Sequence, residues 1–271
     1  MTDRPTRIGV QLAPQHASMQ TTIDAARRVE EMGADAVFGW DHFFPLSGEP
    51  DGWHFEATAQ LAAWAQATER IQLGSLVFCN SYRNPDLLAD VARTIDHIAG
   101  GRFVFGIGSG WFERDYEEYG YDFGSVGKRL NALADALPRI RERFAQLNPP
   151  PVGPMPILIG GKGEQKTLPL VAQHADIWHS FVGPDQLQHK LDVLRARCDD
   201  LGRDVGEIEI SNGASVRDGV GGVGFERLDA LHAIGTRLFT IPLSGDDTAE
   251  GYALERVQEF LDWRDAKNDG R

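Results

Sequence analysis

The residues best suited to chemistry stand in three short runs. Asp41-His42 sets a carboxylate beside an imidazole directly after an apolar segment, and an imidazole there can move a proton near neutral pH. A solvated loop pair fits the same letters. Gly160-Gly161-Lys162-Gly163 follows another apolar segment and precedes a helical pattern, so backbone amides and one ammonium meet where a phosphate could bind. A plain glycine turn is the other reading. Gly106-x-Gly108-x-Gly110-Trp111 follows Phe103-Val104-Phe105, and alternate glycines either let a backbone approach a flat ligand or turn a corner where other residues would clash.

Several other chemistries lack a marker. Glu164-Gln165 stand where a phosphate-binding P-loop needs its lysine and hydroxyl. Trp111 stands where a dinucleotide motif begun at Gly106 would need its third glycine. Gly219-x-Gly221-x-x-Gly224 matches that motif in letters, but it is separated from the strand before it and too little chain follows. The histidines are scattered without paired ligand spacing, so no metal site is expected; His179, ending a strand, is a rim ligand or a pocket wall. Ser109 lies in Ile107-Gly108-Ser109-Gly110, which is not a nucleophile elbow. Cys79 and Cys198 fit neither metal nor disulfide spacing and read as reduced thiols, Cys198 in the core and Cys79 beside a pocket.

The elements that must position these runs alternate along the whole chain. Strands are expected at Arg7 to Leu12, Asp35 to Trp40, Ile71 to Phe78, Phe103 to Phe105, Pro156 to Ile159, Asp176 to Ser180, Glu207 to Ser211 and Thr236 to Ile241. Between them, apolar residues recur at helical spacing: Ile23 to Met32, Phe55 to Thr68, Leu88 to Ile98, Leu130 to Phe144, Gln165 to His174, Leu187 to Leu201, Phe225 to Ile234 and Leu254 to Leu261. Pro138 is expected to kink or break the fifth-strand approach helix. Eight strands alternating with eight helices predict an α/β fold, a (β/α)8 TIM barrel, as one domain over 1–271. In such a barrel every loop after a strand opens on one rim. That rule collects Gln11 to His16, Trp40 to Phe44, Ser75 to Arg83, Gly106 to Tyr116, Gly160 to Gly163, His179 to Val182, Asn212 to Gly224 and Pro242 to Asp246.

The 271 residues are 42% hydrophobic and 25% charged, enough for a sizeable core. A net charge of -13 argues against nucleic acid and anionic membranes as partners. Neither a membrane-spanning run nor an apolar signal segment is visible, so a cytoplasmic protein is expected.

Gly101-Arg102-Phe103, Gly106-x-Gly108-x-Gly110-Trp111, Asp115-Tyr116, Tyr119-Gly120 and Arg129-Leu130 together resemble the signature of the bacterial luciferase-like monooxygenase family, in its compact single-chain branch. Asp41-His42, Gly74-Ser75-Leu76, Arg83-Asn84-Pro85 and Ile159-Gly160-Gly161 extend the likeness over nearly the whole chain. The resemblance implies a barrel that binds coenzyme F420 or FMN, often as a homodimer, and that transfers hydride or activates oxygen. It implies His42 and Asp41 as catalytic residues beside the ring, with His42 as proton donor, and a non-prolyl cis peptide at Ser75-Leu76 as a backstop. Gly106, Gly108, Ser109, Gly110 and Trp111 would lie along the cofactor, and Gly160, Gly161, Lys162 and Gly163 would take its phosphate. Trp40, Asn80, Tyr82 and Phe181, with Phe43 and Trp111, suggest a partly aromatic wall for a small-molecule substrate. Sugar-phosphate dehydrogenases of the family carry a catalytic glutamate after the glycines, where this chain has Trp111. The expected activity is hydride transfer between F420 and a small organic substrate. An FMN-dependent monooxygenase and a flavin-binding protein without turnover are the alternatives.

Overall fold

Parallel strands and helices alternate throughout the computed structural model, which describes residues 4–214, 225–246, 248 and 251–270. In chain order the elements are β1 (Arg7–Leu12), α1 (Met19–Glu31), β2 (Ala36–Gly39), α2 (Ala57–Ala67), β3 (Gln72–Ser75), β4 (Phe78–Cys79), α3 (Pro85–Ile98), β5 (Phe103–Gly108), α4 (Glu113–Tyr119), α5 (Val126–Gln146), β6 (Ile157–Gly160), α6 (Thr167–His174), β7 (Ile177–Ser180), α7 (Pro184–Asp199), β8 (Glu209–Gly213), α8 (Glu226–Ile234), β9 (Leu238–Leu243) and α9 (Glu255–Asp269). β1 pairs with β2 and β9, and β3 pairs with β2 and β5, so eight strands close on themselves. The two-residue β4 continues the third barrel strand and pairs further along β5. The expected barrel is the observed one.

Side chains alternate across each strand. One set (Ala36, Phe38, Leu76, Val104, Leu158, Ile177 and Leu238) fills the middle of the barrel. The other set, with Ile8, Val10, Phe103, Phe105 and Trp178 among it, packs outward against the helices. Below the apolar plug, Arg7 pairs with Glu209 at 2.7 Å and donates to Gln72 at 2.6 Å, which satisfies the charges enclosed at the N-terminal ends of the strands. α9 fastens the end of the chain to its beginning: Thr6 N donates to Asn268 Oδ1 at 2.9 Å, and Asn268 Nδ2 donates back to Thr6 O at 3.0 Å.

Three local expectations change. The third strand is not continuous from Ile71 to Phe78; it divides into β3 and β4 around a cis peptide at Leu76–Val77, one residue beyond the Ser75-Leu76 bond that the resemblance implied. Leu76 is held from β2 and from β1, its N–H donating to Gly39 O at 2.7 Å and its carbonyl accepting from Gln11 Nε2 at 3.0 Å. The fourth strand runs on to Gly108 rather than ending at Phe105. α5 passes through Pro138 without a break, because Leu133, Leu137 and Ile140 stay buried on one face while Pro138 itself is exposed. A continuous apolar stripe outweighs one lost backbone bond there. Among the described residues, no helix is long and apolar enough to cross a membrane.

Candidate active site

A cavity of about 570 Å³ opens at the C-terminal ends of the strands. Its wall includes Trp40, Asp41 and His42 from the loop after β2, Leu76 to Cys79 from the third barrel strand, Gly108 to Trp111 after β5, Gly160 to Lys162 after β6, and His179 to Phe181 at the end of β7. The three runs singled out by residue type, distant in sequence, therefore meet in one place.

His42 is 8% exposed, and its Nδ1 lies 2.6 Å from Asp115 Oδ2. Asp115 is fully buried on α4. Its two oxygens also accept from Tyr82 OH at 2.8 Å and from Phe43 N at 3.0 Å. Burial alone would raise this carboxyl, but hydrogen bonds from His42, Phe43 and Tyr82 outweigh it and hold it below the usual carboxylate range. An ionised Asp115 fixes the imidazole with its proton on Nδ1, which leaves Nε2 for the cavity. The rings of Trp111, Phe112 and Trp40 stand edge-on to His42 at 5.7, 5.5 and 6.2 Å. An oriented imidazole in an aromatic wall, backed by a buried carboxylate, can hold or move one proton at a defined atom.

Asp41 is differently placed, although it is the next residue. Its carboxylate takes two hydrogen bonds from Arg83, at 2.6 and 2.9 Å, and one from Cys79 N at 2.9 Å. Burial pushes Asp41 up against the pull of Arg83. Burial likewise opposes the charge on Arg83, yet Asp41 and Glu56 hold the guanidinium above its ordinary value. The forked geometry keeps the two as an ion pair. Asp41 thus ties the loop after β2 to the end of β4 and to Arg83, just before α3.

α4 clamps the same loop from outside. Arg114 donates to Pro50 O at 2.7 Å and lies 4.0 Å from the Phe44 ring centre, while Tyr119 stacks on Phe43 at 4.0 Å. Arg129 holds the glycine corner, donating to Gly110 O at 3.2 Å and to Phe123 O at 2.8 Å. Gly110 has φ +80°, and a Cβ there would come within 2.0 Å of Tyr116 OH, so the corner excludes a side chain twice over.

The remaining predicted residues divide. Gly108, Ser109, Gly110, Trp111, Gly160, Gly161, Lys162, Leu76, Trp40 and Phe181 line the cavity. Ser75, Gly106, Gly163, Asn80 and Tyr82 do not. Gly106 lacks a side chain because the third barrel strand crosses it: a Cβ would lie 1.8 Å from Ser75 O. Tyr82 is 5% exposed and turns its hydroxyl to Asp115 rather than to a substrate. Gly161 N–H is already donated to His179 O at 3.0 Å, which leaves Lys162 as the one charged donor of that loop on the wall. The Gly219-x-Gly221-x-x-Gly224 run and most of the rim loop from Asn212 lie outside the described residues.

Residue types alone left the partnerships of Asp115, Arg83 and Ser211 unread. Arg83-Asn84-Pro85 and Asp115-Tyr116 were visible only as parts of a pattern, and nothing local announces that Asp115 meets His42 across 73 positions. His54 was likewise unmarked. It accepts from Trp40 Nε1 at 3.0 Å, and burial followed by the charge of His42 pushes it down to about 4. Among the described residues, no group of three His, Cys, Asp or Glu is placed to hold a metal.

A family model described as luciferase-like monooxygenase matches residues 4–217. The chain is 27% identical over 187 residues to an F420-dependent glucose-6-phosphate dehydrogenase of Amycolatopsis mediterranei, covering 62% of this chain and 54% of that one. It is 30% identical over 105 residues to 4-hydroxyprotoasukamycin monooxygenase of Streptomyces nodosus subsp. asukaensis, covering 38% and 28%. The chain spans about half the length of the first curated relatives, or less. A solved F420-dependent secondary alcohol dehydrogenase, described in complex with an F420-acetone adduct, superposes with a TM-score of 0.77 at 17% identity, over 88% of this chain and 93% of that one. That likeness is one of fold.

Proposed function

The chain belongs to the luciferase-like monooxygenase family, and from that premise we propose that it is an oxidoreductase using coenzyme F420, with His42 as the proton-transferring residue. The observation that carries the reading is the His42–Asp115 pair at 2.6 Å, set in the wall of a cavity at the catalytic rim of a barrel.

The residues present suit a flavin-type group. A flat ring needs an apolar slot, and Leu76, Val77, Trp40 and Trp111 supply apolar wall. A phosphate tail needs a cation and neutral donors, and Lys162 and the buried His179 both line the cavity, on the adjacent β6 and β7 side. F420, when bound, supplies a two-electron hydride. The chain's own part is to hold the ligand, to keep water from the reacting atoms with Trp40, Trp111 and Phe181, and to deliver or accept a proton at His42 Nε2. When a carbonyl acceptor gains hydride at carbon, that proton completes the alcohol at oxygen. Asp115 stabilises the imidazolium on either side of the transfer. Asp41 belongs to the support of the loop, through Arg83, rather than to the reacting atoms.

The names of the curated relatives support F420 over FMN, several being F420-dependent dehydrogenases. Trp111 speaks against a sugar-phosphate substrate. The second reading, an FMN-dependent monooxygenase, is favoured by the family's description and by the relative that is a monooxygenase. Equilibrium titration with F420 and with FMN at equal salt separates them, and tighter binding of FMN overturns the choice.

A further inference from the structure

His179 and His42 come from barrel strands six and two, which are diametrically opposed in a ring of eight. They bracket one cavity. His179 is 2% exposed, two residues beyond the barrel-filling Ile177, so its side chain turns inward at the upper end of β7. Its Nδ1 lies 2.8 Å from the hydroxyl of fully buried Ser211, its cross-strand neighbour. Its Nε2 is buried on the cavity wall with no partner among the described residues.

The tautomer follows from counting donors. If Nδ1 carried the proton, it would donate to Ser211 Oγ, and the serine O–H, which has no other partner among the described residues, would be buried as an orphan donor. If Ser211 donates to Nδ1 instead, the proton sits on Nε2, and a single donor faces the cavity. Burial pushes this imidazole down to about 3, so it stays neutral across the working range. A neutral, fixed, unpaired N–H buried in a ligand cavity calls for an acceptor oxygen from the ligand.

Register says which end of the ligand supplies it. His179 pairs with Gly160, Gly161 N–H donates to His179 O at 3.0 Å, and Lys162 follows on the same wall. We propose that His179 Nε2–H donates to a phosphate oxygen of the bound cofactor and so completes, with Lys162, an anion site of which the glycine loop is only half. Phe181, edge-on to His179 at 4.9 Å, covers the imidazole from solvent. The inference rests on the flavin-type reading above, but it concerns the tail of the ligand and not the reacting ring.

The test compares ligands with and without the phosphate: FMN against riboflavin, which differ by the phosphate alone, and F420 against its deazariboflavin core, which lacks the phosphate and the tail beyond it. His179→Phe keeps an aromatic ring and removes the donor. It is expected to weaken binding of the phosphorylated member of the tighter pair about tenfold or more, with little change for the phosphate-free member. His179→Gln, whose amide nitrogen reaches the place of Nε2, is expected to keep most of the gap. Nitrogen chemical shifts of the ligand-free wild type are expected to show Nε2 protonated and Nδ1 bare, which needs no variant to fold. Equal losses for both members of a pair, or a bare Nε2, overturn the proposal. If the wild type binds none of the four compounds, the flavin-type reading itself fails and the phosphate donor fails with it.

Discussion

At the scale of residues, His42 and His179 share a side chain and a cavity and differ in what their Nδ1 meets. One meets the buried carboxylate of Asp115, the other a neutral hydroxyl. A carboxylate stabilises the cationic imidazole, so His42 can cycle through it; a hydroxyl in a desolvated site does not, so His179 can only donate or accept a hydrogen bond. His42→Ala is expected to lower kcat by about 10²- to 10⁴-fold, the usual contribution of a positioned acid or base, while leaving cofactor affinity unchanged. Full turnover with affinity intact would remove His42 from the reaction. The neutral histidines also leave a mark on stability. His54 and His179 sit near about 4 and about 3 in the folded protein, against an ordinary value of 6.5. Below 6.5 the unfolded chain takes up protons that these two sites refuse. Their contribution is therefore complete above pH 6.5 and is lost as pH falls towards 4 and then 3, each by about 1.4 kcal/mol per pH unit. Urea unfolding at a series of pH values measures it, and a flat stability between pH 6.5 and 4.5 would contradict it.

At the scale of elements, the loop after β2 carries two adjacent residues with separate duties. His42 faces the cavity, while Asp41 and Arg83 tie the loop to the third barrel strand, with Glu56 ahead of α2 as the outer partner of the same guanidinium. The Asp41 side chain is fully enclosed. Arg83→Met would leave a buried carboxylate without its cation, and removing one partner of a buried pair destabilises by about 3–5 kcal/mol. Chemical denaturation is expected to show that loss, and the double variant with Asp41→Leu to recover most of it; a loss below 1 kcal/mol in the single variant would mean the pair is not holding the loop. This division of labour was not legible from adjacency. The letters Asp-His at a strand end put both residues on the cavity wall but said nothing of Arg83, the partner of Asp41 that lies 42 residues on. α4 was missed for a related reason: with seven residues it is too short to show a periodic stripe, and its order comes from Arg114, Asp115 and Tyr119 gripping the β2 loop.

At the scale of the molecule, alternation of period-2 and period-3.6 patterns made the barrel readable, since each strand and helix buries a face that its own sequence already shows. Rim loops could then be collected without knowing any contact, and the three chemistry-bearing runs do converge on one cavity. What stayed hidden depends on closure. Gly106 reads as a place for a ligand, but its empty side is filled by Ser75 O, a neighbour that exists only once the third and fourth barrel strands cross. Ser211 and His179 become partners only when β7 and β8 pair in register. The central claim, a barrel that binds F420 and uses it, is tested most directly by titrating the purified protein with F420 and with FMN and then following reduced F420 with a panel of small carbonyl acceptors. The account predicts tighter binding of F420 and the return of the absorbance of oxidised F420 with at least one acceptor, at a rate that His42→Ala lowers at least about 10²-fold. Tighter binding of FMN, with oxygen consumed and reduced F420 untouched, would contradict it.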